Sequence, residues 1–189
     1  MYKIYDDIVT SDEAESLSIS FRQLPFYFLQ TENNYSSNKL IQDKWSDDNT
    51  VEAKVMQHLF MQEGEICSNH FDVVKLLLKK FYNKSGENFS GLNRCKLNLQ
   101  FQNKDYDNTK YQCPHLDQEF EHHTLIFYPY TSDGDTVLLE EIKEKEYKVI
   151  DKITPKAGRF VLMDGKQFHA SQPPIINETR MTLNYNVKN

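Results

Sequence analysis

Cysteines and long hydrophobic runs are both scarce in this sequence. Its 189 residues include three cysteines, Cys67, Cys95 and Cys113. An odd number without paired spacing does not form a disulfide framework, and the absence of a Cys-x-x-Cys pair argues against a zinc site of that kind. No apolar stretch approaches the roughly 18 residues of a transmembrane helix, and the acidic N-terminal segment lacks a signal peptide's apolar run. We therefore expect a cytoplasmic protein with reduced thiols and no membrane partner.

Basic residues are also in short supply. There are 22 Lys and Arg against 28 Asp and Glu, so the net charge is -6. A general nucleic-acid binder usually shows a basic surface, and the composition argues against such a partner. Hydrophobic residues make up 39% of the chain, which is enough to bury a core, and the length suits one domain.

The first 90 residues favour helices around short strands. Residues 2–5 predict a strand, and Thr10 with Glu13 makes a capping-box pattern that begins a helix over 11–23. A second strand is predicted over 26–29 and a polar loop over 31–50. Two further helices are predicted over 51–62 and 68–83.

From about residue 95 the hydrophobic period changes to two. Leu97, Leu99 and Phe101 alternate with polar residues. Further short strands are predicted over 124–130, 136–140, 149–153, 159–163 and 180–187. Helices followed by a meander of strands predict a mainly β (α+β) fold, in which an antiparallel double sheet closes over a pocket and N-terminal helices pack outside. We expect a single domain over 1–189, with supporting elements in 1–90 and the β core in 95–187.

The motif His115-Leu116-Asp117, together with His169, predicts a metal site. In extended chain, residues two apart point to the same side, so His115 and Asp117 can face one ion. His169 follows the strand predicted over 159–163 and would approach from the opposite sheet. Two imidazoles and one carboxylate form the facial triad that binds non-haem Fe(II) and leaves coordination positions open.

Alternatives to this iron site stay open at the level of the residues. His122 and His123 are competing ligands by spacing, and His169 by itself could be a loop histidine satisfied by the backbone. The mixed nitrogen and oxygen ligand set also suits Zn, Mn, Co or Ni.

The last predicted strand carries a cation suited to a carboxylate. Its alternation places Arg180 and Thr182 on one polar face, where Arg180 would pair bidentately with a carboxylate and Thr182 would bond the same group. Tyr128 would be a second donor, and strand parity turns Asn98 and Gln100 toward the same pocket. The ordinary alternatives are a solvated arginine on a half-exposed strand and a core tyrosine.

At these residues the chain resembles the 2-oxoglutarate/Fe(II)-dependent dioxygenases, specifically their prolyl-4-hydroxylase-like branch. The resemblance covers roughly 95–187 and includes the Pro-Lys-x-Gly-Arg pattern that ends at Arg159. It implies a double-stranded β-helix core, also called jelly-roll or cupin-like. It also implies site residues: the iron ligands His115, Asp117 and His169; Arg180 on the C5 carboxylate of 2-oxoglutarate; and Tyr128 and Thr182 beside that carboxylate.

The resemblance also implies an activity. Fe(II) would be the metal, 2-oxoglutarate and O2 would be consumed, and a C–H bond would be hydroxylated with release of succinate and CO2. Ascorbate would serve as reductant. The branch suggests a peptidyl proline as substrate, with a small molecule as the next option.

Two departures narrow the resemblance. The segment Asp133-Gly134-Asp135-Thr136 replaces the usual Gly-Gly turn, and Asn186 stands where nucleic-acid demethylases carry a second arginine. The second departure disfavours that subfamily. Two other classes remain as rivals, namely a metal-binding cupin-type enzyme that does not use 2-oxoglutarate and a non-catalytic ligand-binding β-sandwich.

Overall fold

The computed structural model describes residues 1–29, 55–144 and 146–188. The polar loop predicted over 31–50 lies outside these ranges. Within them, two helices and eleven strands follow one another along the chain: β1 Tyr2–Tyr5, α1 Ser11–Arg22, β2 Tyr27–Leu29, β3 Val55–Gln62, β4 Glu65–Ile66, α2 Phe71–Ser85, β5 Gly91–Phe101, β6 His123–Phe127, β7 Thr136–Lys143, β8 Glu146–Ile153, β9 Phe160–Asp164, β10 Phe168–Ser171 and β11 Thr179–Lys188.

The described strands form two antiparallel sheets. The larger sheet has the order β1-β9-β6-β11-β5-β3-β2, with β4 paired to β3, and the smaller has the order β10-β7-β8. Strands from the N-terminal part therefore join the same sheet as β5 and β11. The prediction of a mainly β fold with antiparallel sheets and N-terminal helices is confirmed.

The apolar face of the larger sheet packs against the two helices. Phe21 of α1 and Phe81 of α2 share one buried cluster with Leu97 of β5 and Leu183 of β11. Each fully buried side chain of this size contributes about 1.5–3 kcal/mol by leaving water. Helix α1 begins at the predicted capping box, in which Thr10 and its partner three residues on exchange hydrogen bonds. Neither of the described helices combines the length and the apolar character that spanning a membrane requires.

The other face of the larger sheet lies against the smaller sheet. Arg180 on β11 donates to Thr136 on β7 at 2.7 Å, and Gln100 on β5 donates to Ser171 on β10 at 2.9 Å. A small apolar cluster that includes Leu138 fills the space alongside these polar contacts. The candidate site residues lie in this space between the sheets.

The helix predicted over 51–62 is wrong, because residues Val55–Gln62 form strand β3. Met, Gln and Leu in this segment favour helices by intrinsic propensity. In the fold the segment lies between β2 and β5 and pairs with both, so neighbouring strands satisfy its backbone and bury its side chains. Residues 51–54 are not among those described.

Two strands also differ from their predicted bounds in ways that matter for the site. Strand β5 begins at Gly91, four residues earlier than predicted. His169, predicted to lie just past the strand over 159–163, lies inside a separate strand, β10. Both differences bring polar residues into the space between the sheets.

Candidate metal centre and its surroundings

The three predicted metal ligands converge between the sheets. The candidate ligand atoms of His115, Asp117 and His169 all lie within 4.8 Å of one another. His169 lies on β10, and the backbone of His115 exchanges hydrogen bonds of 2.9 and 3.2 Å with it as an isolated antiparallel bridge. The bridge holds the two imidazole centroids 4.6 Å apart.

Both imidazoles are anchored through their Nδ1 atoms. His115 Nδ1 lies 2.9 Å from the carbonyl oxygen of Cys113, and His169 Nδ1 lies 3.0 Å from that of Gln167. A carbonyl oxygen only accepts, so each Nδ1 carries a hydrogen, and Nε2 is the ring atom left to ligate a metal. Two imidazole nitrogens and one carboxylate are a donor set that fits Fe(II) with open coordination positions.

Three side chains hold the Asp117 carboxylate. Arg94 on β5 donates to Oδ1 at 2.6 Å, while Thr124 on β6 and Asn186 on β11 donate to Oδ2 at 2.9 and 3.0 Å. Arg94 Nε also donates to Asn186 Oδ1 at 2.7 Å. The sequence analysis assigned none of these three residues to the site. Strand parity would have pointed to Arg94 if β5 had been predicted to begin early enough.

Arg94 and the other positive groups around Asp117 keep its carboxylate ionised. Burial, the largest single effect, would raise the pKa of the Asp117 carboxyl, but the positive charges around it, with Arg94 foremost, together outweigh burial, and the pKa lies well below its usual range. The Asp117 side chain is 1% exposed and that of Arg94 is 12% exposed. Asp117 is therefore an anion at neutral pH, as a metal ligand must be.

The competing histidines do not join the triad. His122 Nδ1 lies 2.8 Å from the Phe120 carbonyl oxygen, and its ring packs so closely on Gly165 that a Cβ there would come within 2.5 Å. His123 begins β6 and its ring packs on Phe89, with 5.0 Å between centroids. Among the described residues, the group suited to a metal contains neither of them.

A second polar group surrounds Arg180 near the start of β11. Its guanidinium donates from Nε to the Gly134 carbonyl oxygen at 2.6 Å, from Nη1 to Gln100 Oε1 at 2.7 Å and from Nη2 to Thr136 Oγ1 at 2.7 Å. The Tyr128 hydroxyl also donates to Thr136 Oγ1, at 2.7 Å. Burial raises the pKa of Tyr128, so its phenol stays a neutral donor. The structure thus brings Arg180 and Tyr128 together around one threonine.

Thr182 and Asn98 lie on the same face of the larger sheet as Arg180. This face, which lies against the smaller sheet, forms one wall of the site. They are directly paired between β11 and β5, and both are buried. Asn98 Oδ1 accepts a hydrogen bond of 2.8 Å from Gln57 Nε2 on β3. Gln100 donates to Gln112 as well as to the smaller sheet. Asn98 and Gln100 therefore lie on the same side of β5.

Comparisons with known proteins show the fold. No family model matches the chain, and no curated protein is significantly similar in sequence. Among solved structures, the chain is similar to a 2OG-Fe(II) oxygenase family oxidoreductase from Burkholderia pseudomallei, with a TM-score of 0.65 and 12% identity. That match covers 99% of this chain and 85% of the other.

Two prolyl hydroxylases are also similar in structure. One is a prolyl-4-hydroxylase from Pseudomonas putida, with a TM-score of 0.57, 10% identity and coverage of 100% of this chain and 92% of that one. The other is a Trichoplax adhaerens prolyl hydroxylase in complex with a hypoxia inducible factor oxygen degradation domain peptide fragment. It has a TM-score of 0.55, 15% identity and coverage of 99% of this chain and 83% of that one. The chain shares the fold of these oxygenases.

Proposed function

We propose that this chain is an Fe(II)- and 2-oxoglutarate-dependent dioxygenase that hydroxylates a C–H bond. The proposal rests on one observation: a His–Asp–His triad and the buried Arg180 both lie between the two sheets of a fold shared with 2OG-Fe(II) oxygenases. We assign to the β core the double-stranded β-helix architecture, because the two facing sheets enclose the site as that architecture requires.

His115, Asp117 and His169 would hold the iron, and a donor set of this kind leaves coordination positions open for cosubstrate and O2. Bound together, iron, 2-oxoglutarate and O2 would supply the oxidant for a C–H bond, with release of succinate and CO2. The residues of the chain position these groups and exclude water around them. Ascorbate would act as the accessory reductant.

Arg180 would bind the far carboxylate of 2-oxoglutarate. Gly134, Gln100 and Thr136 contribute oxygen acceptors that orient the guanidinium plane. An oriented guanidinium suits bidentate binding of a carboxylate. Tyr128 and Thr182 would be further donors to the same group, and Asn98 would line the cosubstrate pocket.

The substrate class is a separate part of the proposal. Two structures with the same fold are prolyl hydroxylases, and one of them is bound to a peptide fragment. This likeness makes a peptidyl proline the first substrate to test. The cosubstrate assignment does not depend on it.

Anaerobic titration with Fe(II) and 2-oxoglutarate tests the reaction class. The complex should develop a weak metal-to-ligand charge-transfer band in the visible. His169→Ala should abolish the band because one ligand is lost. Arg180→Ala should raise the 2-oxoglutarate concentration needed by about 10- to 100-fold, since hydrogen bonds to a charged group contribute about 1.5–3 kcal/mol. Lys75→Ala, which removes a cation from the exposed side of α2, is the control and should have no effect.

Each failure of this experiment points to a different class of protein. A bound metal without the band would overturn the 2-oxoglutarate assignment and favour a cupin-type metalloenzyme. Neither metal nor band would favour a non-catalytic ligand-binding β-sandwich.

A further inference from the structure

Lys96 and Asn184 form a third polar group in this wall, the face of the larger sheet that lies against the smaller sheet. They are directly paired between β5 and β11, and each is 7% exposed. Directly opposite residues of antiparallel strands have Cβ atoms about 4.5–5.5 Å apart, so the two side chains are neighbours. Neither residue belongs to the triad or to the group around Arg180.

Both side chains face the candidate site. Alternation along β5 places Lys96 on the same side as Arg94, which contacts Asp117, and as Asn98, which bonds Gln57.

The Asn184 amide has an unmet hydrogen-bonding capacity. Its Oδ1 is buried and has no hydrogen-bond partner within the part of the chain that the structure describes. Buried polar atoms are nearly always paired, and an exception at a site calls for an explanation. An amide oxygen accepts only, so the matching ligand must offer an N–H or O–H group at this point.

We propose that Lys96 and Asn184 bind a substrate with a free carboxylate beside an N–H or O–H donor, as in a free α-amino acid. The Lys96 ammonium donates to the carboxylate, and Asn184 Oδ1 accepts from the group on the neighbouring carbon. This inference rests on the proposed oxygenase function and names its substrate class.

The position of the pair separates it from the cosubstrate group. Asn184 is four residues from Arg180, about 13 Å along an extended strand, and two residues from Asn186, which holds the metal carboxylate. Two cationic groups at separate points of the wall match two separate anionic molecules. A peptidyl proline offers neither feature, because its nitrogen carries no hydrogen and its carboxyl is in a peptide bond.

Matched acids and amides test the inference. Succinate formation from 2-oxoglutarate is measured with the common free L-amino acids, with the same compounds as carboxamides, and with acetylated and amidated prolyl tripeptides. At least one free acid should exceed its amide by about tenfold, the change that ~1.4 kcal/mol produces. Lys96→Met should remove this preference, and Lys79→Met, on the exposed side of α2, should keep it.

A second variant covers the case in which Lys96→Met does not fold. Asn184→Asp is isosteric and places a negative charge beside Lys96, so it should repel the carboxylate and shift the preference toward the amide. Circular dichroism checks the fold of each variant. The charge-transfer titration should show an unchanged requirement for 2-oxoglutarate in both.

The outcomes separate this inference from the proposed function. Best stimulation by a blocked peptide, equal responses to acid and amide, or a Lys96→Met protein that keeps the preference would overturn the subsite. A weaker response of Lys96→Met to 2-oxoglutarate would also overturn it, because the lysine would then serve the cosubstrate. A charge-transfer band without stimulation by any free acid refutes the subsite alone. A wild-type protein without the band refutes the oxygenase function itself.

Discussion

Replacing Arg94 with methionine should destabilise the metal-free protein at neutral pH. Arg94 Nη2 lies 2.6 Å from Asp117 Oδ1, and both side chains are largely or fully buried. Removing one partner of a buried ion pair costs about 3–5 kcal/mol, because the other charge is left uncompensated. Asp117 would keep its bonds from Thr124 and Asn186. We therefore expect a loss of about 3 kcal/mol, or roughly 6–12 °C in Tm for a chain of this size.

The pH dependence of this loss makes the test specific. In the wild type the pKa of Asp117 is depressed, so its contribution to stability is complete above the unfolded value of about 3.9. That contribution is lost as the pH falls through the folded pKa. Without Arg94, burial should raise the pKa of Asp117 above the unfolded value, and the folded variant gains stability as it takes up a proton. The difference between the proteins should therefore shrink from about pH 7.5 toward pH 4.

Urea unfolding after dialysis against a chelator measures both effects. Arg159→Met is the control, because the pair of Arg159 with Asp6 is 19% and 29% exposed and should contribute less than ~1 kcal/mol. Adding Asp117→Asn to Arg94→Met should recover most of the loss, since the buried carboxylate that lost its guanidinium partner is then neutral as well. A loss below about 1 kcal/mol for Arg94→Met, or one that is the same at every pH, would refute this account of the site.

Two further substitutions test the surrounding fold. Gly134→Ala should destabilise the protein strongly, because Gly134 has φ +89° and a Cβ would lie 2.6 Å from the Gln172 backbone oxygen. Thermal unfolding measures this effect, and Gly91→Ala, where a Cβ meets nothing within 4 Å, should change Tm little. Asp6→Asn should cost about 0.5–1 kcal/mol at neutral pH, because Arg159 lowers the pKa of Asp6 to about 2. That contribution is complete above about pH 4 and is lost as the pH falls through about 2, so urea midpoints of the two proteins should converge over this range.

Short-range features of the chain were readable without the structure. The capping box begins α1 at the residue expected, because both of its hydrogen bonds join residues three apart. Alternation put Arg180 and Thr182 on one side of β11, and in the structure these two residues share a face of the larger sheet with their partners Gln100 and Asn98 on β5. The roles of these residues, the single-domain organisation and the cytoplasmic location stay predictions.

The misassigned segment shows where local reasoning fails. Residues 55–62 carry helix-favouring side chains, and only the flanking strands β2 and β5 make the extended form favourable. The late start predicted for β5 had a further consequence. It left Arg94 outside any strand, so nothing in its local sequence connected it with Asp117.

From periodicity and ligand chemistry, the sequence predicts which three residues form the triad and which side of each strand carries the polar residues. It does not predict the side chains that hold Asp117, because Arg94 and Asn186 are 23 and 69 residues away from it in the chain. These residues meet because β11 lies between β6 and β5 in the larger sheet. Strand order depends on which long-range pairings bury the most surface and satisfy the most backbone groups, and that choice is made by the whole chain at once.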